Sequence, residues 1–521
     1  MDVCIYDTTL RDGAQGEGLT FSVEDKLKIA AKLDYLGVSY IEGGWPGSNP
    51  KDLEFFRRMQ EIDLVHAQVT AFSSTCKPGV SVTRDANMKA LVEAGTRTVT
   101  IFGKSWDFHV LRALETSLVE NLHMVRDTVS YCKDLGKEVI FDLEHFFDGY
   151  KNNPDYALQV LAAAAEAGAD WLVLCDTNGG LLPWEMEEII TRVKAEVSSP
   201  LGVHLHNDGA CGVANSLVAV RMGAGQVQGT MNGYGERCGN ADLSAVIPDV
   251  ELKMGKKCLP PGHLVRLTEV SHYVSEVANM PRHTNQPFVG HGAFAHKGGV
   301  HVSALLKDPA TYEHINPQTV GNRRRVLVSE LSGVSNLAYK ARELNLNLDG
   351  GDGETRKVIQ QIKELENQGF QFEGAEASLE LLLRKARGEY RDFFQFQNLK
   401  IIIEKREDNG IAAEAMIKLT VDGKTVHTAA EGEGPVNALD NALRKALTEC
   451  YPFIKEMHLT DYKVRVLDGS EGTAAKVRVL VESSDEKETW STVGVSENII
   501  EASWQAVVDS LNYMFLRRLT S

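Results

Sequence analysis

The chain has 521 residues, of which 43% are hydrophobic and 24% charged, and its formal net charge is −17. This acidic excess argues against a nucleic-acid groove or an anionic membrane surface as partner, because both require clustered Lys and Arg. The length predicts about three domains. We expect no membrane span and a cytoplasmic location, since apolar runs of about 18 residues are absent. Eight cysteines without a C-x-x-C pair favour reduced thiols over disulfides.

The first 260 residues alternate short apolar strands with amphipathic helices. The strands are predicted at 3–6, 38–41, 65–71, 97–101, 137–142, 170–174, 201–205 and 225–229. The helices are predicted at 22–35, 50–60, 83–94, 112–135, 154–167, 183–196, 211–222 and 240–254. Eight strand–helix units in about 255 residues have the count and length of a (β/α)8 TIM barrel. A doubly wound open sheet is the alternative, but the glycine fingerprint that such sheets often carry after the first strand is absent.

Polar and charged residues follow six of the eight predicted strands. These segments are residues 7–15, 42–46, 142–145, 176–179, 204–208 and 232–240. In a (β/α)8 barrel, functional residues lie just after the carboxyl ends of the strands. One such segment carries little information, because Asp, Asn and Gly also build turns and helix caps. Six segments at one end of a barrel indicate a functional site there.

The clearest of these segments is His204-Leu205-His206 at the end of the seventh predicted strand. Side chains alternate along a strand, so the two imidazoles share one face. A pair of histidines on one face can hold a divalent cation, although such pairs are more often structural. From this segment alone, a structural role for the two histidines is therefore favoured over a metal site.

Three motifs carry a resemblance to a known family. They are Asp-Thr-Thr-Leu-Arg-Asp-Gly at 7–13, His-x-His-Asn-Asp at 204–208 and Gly-Glu-Arg-x-Gly-Asn at 235–240. Together they resemble the metal-dependent barrel acyltransferases that condense acetyl-CoA with 2-oxoacids, namely the isopropylmalate, homocitrate and citramalate synthases. The similarity extends over nearly the whole chain. Segments 41–50, 100–106 and 141–150 are most similar to the bacterial (R)-citramalate synthase branch of that family.

The resemblance implies a metal site and a catalytic apparatus around it. The implied ligands of a divalent cation are Asp12, His204, His206 and Asn240. Mixed oxygen and nitrogen ligands suit Mg, Mn, Co or Zn. Arg11, held by Glu42, would stabilise the alkoxide that forms on the oxoacid. A plain ion pair at the rim is the alternative for these two residues.

Further residues are candidates for substrate binding and proton transfer. By resemblance, Glu144 is a base or water activator and Thr177 contacts the substrate. Asp142 lies two residues before Glu144 on the same strand face and is expected in the oxoacid pocket. Phe72 and Phe102, near the ends of the third and fourth strands, are candidates for a wall that admits a methyl group and excludes an isopropyl group. Core packing is an equally good explanation for the two phenylalanines.

Beyond the barrel, Pro260-Pro261-Gly262 marks a boundary, and residues 261–390 are predicted to form helical connecting subdomains. The segment 291–301 ends in a pattern similar to the family's His-x-x-Gly-Ile-His element. By that resemblance His301 and Tyr312 are candidates for assisting proton transfer or hydrolysis. A glycine-rich connector with incidental histidines is the alternative.

Residues 391–521 contain an internal repeat. Thr425-Val426-His427-Thr428 with its following helix is echoed by Thr489-Trp490-Ser491-Thr492 and a second helix, and alternating strands precede each. Two βββα units of this kind resemble the allosteric domain of the 2-oxoacid synthases, which binds the end-product amino acid. A dimerisation or solubility module is the alternative.

Three functional hypotheses follow. The first is a homodimeric citramalate synthase that condenses acetyl-CoA with pyruvate in isoleucine biosynthesis and takes isoleucine as effector. The second is a 2-isopropylmalate or homocitrate synthase that acts on another 2-oxoacid. The third is an amino-acid sensor built on an inactive barrel. This hypothesis is disfavoured by an intact set of site residues, namely Arg11, Asp12, His204, His206 and Asn240.

Overall fold

The computed structural model describes residues 3–330, 332–344, 346, 351–405, 410–468, 472, 474–485 and 487–519. The chain divides into two compact units. The barrel unit comprises Met1–Phe294 and His314–Arg324, and the C-terminal unit comprises Ala295–Glu313 and Arg325–Ser521. These limits differ from the boundaries expected at 260 and 390, so the three-domain division stays a prediction.

Eight parallel strands form a closed barrel, which confirms the (β/α)8 prediction over the open sheet. The strands are β1 Cys4–Asp7, β2 Tyr40–Gly44, β3 Gln68–Ser74, β4 Thr98–Lys104, β5 Glu138–Glu144, β6 Trp171–Asp176, β7 Leu201–Leu205 and β8 Gln226–Gly229. Each strand pairs with the next, and β8 pairs with β1 through Cys4 and Gln226, so no strand edge is left open. Most strand residues are buried, as expected where helices cover one side of a parallel sheet and side chains fill the other.

Eleven helices belong to the described part of the barrel unit. They are α1 Val23–Leu36, α2 Pro50–Met59, α3 Ala86–Glu93, α4 Asp107–Arg112, α5 Leu118–Asp134, α6 Phe146–Asn152, α7 Pro154–Glu166, α8 Pro183–Glu196, α9 Gly212–Arg221, α10 Leu243–Pro248 and α11 Leu267–Val277. Helix α1 begins and ends where its sequence predicts. Ser22 and Asp25 form a capping box at its start, and Gly37 ends it with a φ of 97°.

Two of the predicted barrel helices have other limits. The helix expected from 112 begins at Leu118, because the Ser117 side chain accepts a hydrogen bond from the backbone of Glu120 and so caps a new helix. The helix expected at 240–254 is shorter. It begins after Asp242, whose side chain caps it, and its α-helical part ends at Pro248, followed by a π-helical turn at Asp249–Lys253.

The C-terminal unit begins with short elements and ends in two repeated units. The short elements are β9 Ala295–His296, α12 Gly299–Leu305, β10 Arg325–Val326, α13 Val334–Glu343, α14 Gly351–Asn367 and α15 Glu376–Ala386. The repeats are β11 Gln395–Lys405, β12 Ile411–Val421, β13 Lys424–Gly432 and α16 Pro435–Leu447, then β14 His458–Val466, β15 Val477–Ser484, β16 Thr489–Ser496 and α17 Ile499–Leu519. Each repeat is a three-stranded antiparallel sheet with one helix, which confirms the two predicted βββα units.

All eight cysteines are unpaired thiols. None of the described helices combines the length and the apolar character that crossing a bilayer requires.

Candidate active site

A cleft of about 240 Å³ opens at the carboxyl end of the barrel. Nine residues that the sequence singled out line it: Arg11, Asp12, Phe72, Phe102, Asp142, Glu144, Thr177, His204 and His206. Glu42 and Asn240 do not line the cleft, but each contacts a residue that does. The barrel therefore gathers in one place residues from β1 through β8.

Asp12 is the centre of a buried cluster of potential metal ligands. Its Oδ2 lies 3.0 Å from Nε2 of His204 and 3.8 Å from Nε2 of His206. The three residues can each offer one ligand atom such that these atoms lie within 4.8 Å of one another. One carboxylate and two imidazoles form a donor set that fits a divalent transition metal or Mg.

The charge states of the three side chains also fit a cation. Burial alone would raise the pKa of Asp12, but Arg11 and His204 hold it well below its usual range, so the carboxylate is ionised. Burial lowers the pKa of His206 to about 4, so this imidazole is neutral at pH 7 and has a free nitrogen lone pair. For His204, burial lowers the pKa, but the hydrogen bond and charge of Asp12 raise it above its ordinary value. A bound cation would take the place of that proton.

Asn240, which follows β8 in the chain, contacts two residues of the cluster. Its Nδ2 donates to Oδ2 of Asp12 at 2.9 Å and lies 3.3 Å from Nε2 of His204. Its Oδ1 is buried and has no hydrogen-bond partner among the described residues. A half-turn of the amide would direct this oxygen toward Asp12 and His204, where it could serve as a fourth ligand.

Gln228 is a residue of this cluster that the sequence analysis missed. Its Oε1 lies 2.9 Å from Nδ1 of His204, and its Nε2 donates to Oδ1 of Asp142 at 3.0 Å. Metal-binding histidines commonly use the second ring nitrogen for such a contact, which fixes the ring and its tautomer. Gln228 lies on β8, and only its inward orientation, set by strand alternation, could have indicated it.

Arg11 is held over the cleft by both charge and packing. Its Nε donates to Oε2 of Glu42 at 2.5 Å, and its guanidinium lies 3.8 Å from the ring centre of Phe72. Burial would lower the pKa of Arg11, but the carboxylates of Glu42 and Asp12 raise it above its ordinary value. Tyr6 donates to the other oxygen of Glu42 at 2.7 Å. The guanidinium therefore stays charged and has a defined orientation.

Two carboxyl groups of β5 reach the cleft. Glu144 forms an ion pair with Lys104, a residue that the sequence analysis did not assign to the site. Burial raises the pKa of Asp142 to about 7, with the charge of Glu42 adding to the effect. Near neutral pH, Asp142 is thus divided between its acid and its carboxylate form, and it can donate a hydrogen bond in the first.

Thr177 lies just after β6, where its side-chain oxygen accepts the backbone N–H of His145 at 2.8 Å. His145 itself is buried with its ring centre 4.1 Å from that of His109 and its Nδ1 3.1 Å from Asp148. The hydroxyl hydrogen of Thr177 can still donate to a ligand in the cleft.

The two phenylalanines line the cleft as a stacked pair. The ring centres of Phe72 and Phe102 are 5.2 Å apart with an interplanar angle of 13°. Trp45, which the sequence analysis left without a role, meets both rings edge-on. All three rings contribute surface to the cleft, and the role of Phe72 and Phe102 as a wall stays a prediction.

His301 and Tyr312 belong to the C-terminal unit, where their rings stack with centres 4.1 Å apart. Both side chains are exposed. The structure thus brings the two residues together within that unit, and their catalytic roles stay predictions.

Models of known families match three consecutive parts of the chain. An HMGL-like model matches residues 2–274, a homocitrate synthase post-HMGL domain-like model matches 288–369, and a LeuA allosteric (dimerisation) domain model matches 373–515. The barrel and the cluster at its rim therefore define an HMGL-like enzyme. This class and the buried Asp12, His204 and His206 indicate a divalent metal site.

Individual relatives show to which enzyme family within the HMGL-like class the chain belongs. The (R)-citramalate synthase of Aquifex aeolicus is 54% identical over 99% of this chain and 98% of its own length. That of Geobacter sulfurreducens is 55% identical over 98% and 97%. A probable 2-isopropylmalate synthase of Methanopyrus kandleri is 33% identical over 99% of both chains. The chain belongs to the (R)-citramalate synthase family.

The cluster predicts one tight site for a divalent cation. Titration of the apo protein with Mn²⁺, followed by electron paramagnetic resonance, should show this site in the wild type and its loss in His204→Ala. Gln228→Leu should weaken binding by about 10–100-fold, because the ring of His204 is no longer oriented. His272→Ala, which removes a histidine remote from the cluster, is the control. Equal Mn²⁺ affinity in wild type and His204→Ala would contradict the assignment.

Proposed function

We propose that the chain condenses acetyl-CoA with pyruvate and hydrolyses the resulting thioester to give (R)-citramalate and CoA. The observation that carries this proposal is the set of five relatives named (R)-citramalate synthase, which are 45–55% identical over nearly the whole chain. The cleft supports the same chemistry, since it combines a metal-ligand cluster, a fixed guanidinium and two carboxyl groups. In this proposal pyruvate and acetyl-CoA are the substrates.

The proposed ligands are Asp12, His204, His206 and Asn240, and Mg, Mn, Co or Zn would suit them. The cation, when bound, would polarise the ketone of the oxoacid as a Lewis acid. Arg11 is the group of the chain itself that stabilises the alkoxide formed by attack on that ketone. Its orientation is set by Glu42 and Phe72, so little reorganisation is needed as the charge develops.

Glu144 is our candidate for removing a proton from the acetyl methyl group or for activating the hydrolytic water. Its carboxyl group lies in the cleft and is held there by an ion pair with Lys104. Asp142, whose pKa burial raises to about 7, can donate to the carboxylate of the oxoacid. The hydroxyl of Thr177 offers a second contact. His301 and Tyr312 are proposed to assist proton transfer or hydrolysis.

A 2-isopropylmalate or homocitrate synthase is the alternative, and the relative from Methanopyrus kandleri supports it at 33% identity. The cleft favours pyruvate, the smaller oxoacid, because bulky aromatic rings form its apolar surface and limit the space beside it. An inactive sensor barrel is disfavoured by the complete set of charged residues in the cleft.

For the C-terminal unit we propose dimerisation and binding of isoleucine, the end product to which citramalate leads. The edge strands β11 and β14 expose apolar side chains such as Phe396, Ile403 and Val466. Such patches are typical of surfaces that a second protomer covers. We also propose a cytoplasmic location for the dimer.

The effector is proposed to bind near the turns 431–435 and 495–498, which occupy equivalent places in the two repeats. Each turn leads into a helix, α16 or α17, whose N-terminal N–H groups and dipole favour a carboxylate. Asn437 lies in the first turn of α16 and accepts the backbone N–H of Glu433 at 3.1 Å.

A thiol-release assay with acetyl-CoA tests the function. Pyruvate should support faster turnover than 2-oxobutanoate, 2-oxoisovalerate or 2-oxoglutarate, and exhaustive chelation should abolish the activity. Faster turnover of 2-oxoisovalerate than of pyruvate would move the assignment to 2-isopropylmalate synthase.

Arg11→Lys keeps the positive charge but loses the planar guanidinium that Glu42 and Phe72 orient. Turnover of pyruvate should fall by about 100-fold or more, because a donor aimed at the developing alkoxide is lost. Arg58→Lys, on the exposed surface of α2, should retain wild-type turnover. An unchanged turnover number in Arg11→Lys would mean that Arg11 is only an ion-pair partner.

Isothermal titration calorimetry should detect isoleucine binding to the intact protein, with leucine weaker. Asn437→Asp keeps the hydrogen-bond acceptor but adds a negative charge near the proposed carboxylate, so isoleucine affinity should fall by about tenfold. Gln360→Glu adds the same charge on the exposed face of α14 and should have no effect. Tighter binding of leucine than of isoleucine would favour the 2-isopropylmalate synthase alternative.

A further inference from the structure

Trp45 follows β2 directly and forms one side of the aromatic surface of the cleft. Its ring centre lies 5.9 Å from that of Phe72 and 5.6 Å from that of Phe102, at interplanar angles of 81° and 82°. The indole thus packs edge-to-face against both phenylalanine rings, an arrangement that aromatic groups prefer. We call Trp45, Phe72 and Phe102 the aromatic wall.

The aromatic wall supplies nearly all the apolar surface of the cleft. Apart from Cys175, every other residue that lines the cleft is polar or charged. A substrate that binds there must place its alkyl group against apolar surface to remove it from water. The positions of the three rings therefore determine how large that alkyl group can be.

None of the described residues forms a hydrogen bond with the indole. Its Nε1 is buried and has no partner among the described residues. Phe72, by contrast, is covered by the guanidinium of Arg11. The orientation of Trp45 depends on the two phenylalanine rings and on its own backbone, whose N–H donates to Oδ2 of Asp52 at 3.0 Å.

Asp52 is in turn held by a buried ion pair between two helices. Its Oδ1 is 2.5 Å from Nζ of Lys26, which also donates to the carbonyl of Gly43 at 2.9 Å. The two residues are only 6% and 2% exposed. Gly44 has a φ of 142°, and a Cβ there would lie 2.5 Å from Oδ2 of Asp52, so a glycine is needed for the carboxylate to approach. The end of β2 is thereby fixed to α1 and α2.

Resting on the proposed function, we propose that Trp45 determines the largest alkyl group that the enzyme accepts on its 2-oxoacid. Lys26 and Asp52 are positioning residues, because they fix the backbone from which the indole projects. A hydrophobic pocket distinguishes substrates that differ by one methylene by about 10–200-fold. Displacement of one ring of the wall can therefore change the ranking of pyruvate and 2-oxobutanoate.

Trp45→Leu tests the first part of the proposal. The ratio of kcat/KM for 2-oxobutanoate to that for pyruvate should rise by about tenfold or more, with most of the change in KM. Trp184→Leu, which replaces a tryptophan that is 68% exposed on α8, should leave the ratio unchanged. If thermal unfolding shows that Trp45→Leu does not fold, Trp45→Phe should shift the ratio in the same direction. An unchanged ratio in a folded, active variant would overturn the proposal.

The double variant Lys26→Met/Asp52→Asn tests the positioning role without leaving one buried charge unpaired. It should raise the same ratio while pyruvate turnover stays within a few-fold of wild type. Glu24→Gln is the matched control, because it removes the exposed pair of Glu24 with Arg58, which joins the same two helices. A lower unfolding temperature without a shift of the ratio would show that the buried pair is only structural.

The failure of this inference differs from the failure of the proposed function. A wild-type protein that releases no thiol with any 2-oxoacid would overturn both. An active wild type whose ratio does not respond to Trp45→Leu would overturn the inference alone.

Discussion

The carboxylate of Asp12, buried at the rim of the barrel, is the constraint on which the site depends. Arg11, His204, His206 and Asn240 all lie within 4 Å of its Oδ2 or donate to it. Burial of one unpaired charge would cost several kcal/mol, so the positive and polar neighbours are required by the carboxylate itself. The same neighbours produce a donor set for a divalent cation. The buried carboxylate of Asp12 thus accounts both for the charged and polar contacts at the rim and for the donor set.

Closure of the barrel makes this arrangement possible. Asp12 and Asn240 are 228 positions apart in the chain, yet their side chains are hydrogen-bonded, because β8 pairs with β1. The side chains that orient the cluster come from inside the barrel. Gln228 links His204 to Asp142, and Tyr6 links Glu42 to Thr100. The barrel interior is therefore a polar support for the rim as well as a packed core.

A second kind of support acts from outside the barrel. The buried pair of Lys26 and Asp52 connects α1 and α2 to the end of β2, which Trp45 follows directly. Inner polar contacts thus hold the charged residues of the cleft, whereas the outer ion pair holds the backbone beside its apolar surface. The C-terminal unit contains two βββα repeats. In each repeat the turn after the third strand, at 431–435 or 495–498, leads into the N-terminus of a helix. Such termini favour anionic groups by their dipole.

The sequence by itself determined the repeating pattern of eight strands and helices, because hydrophobic periodicity and helix caps are local properties. It also indicated His204 and His206, since strand alternation places them on one face. Only the tertiary structure decided which residues meet them. Gln228, Lys104 and Trp45 have no distinctive local pattern, and their places in the site follow from strand pairing and ring packing between distant segments. The late start of the helix expected at 240–254 has a similar origin, since the segment before Asp242 is held extended by a bridge between His206 and Asn240.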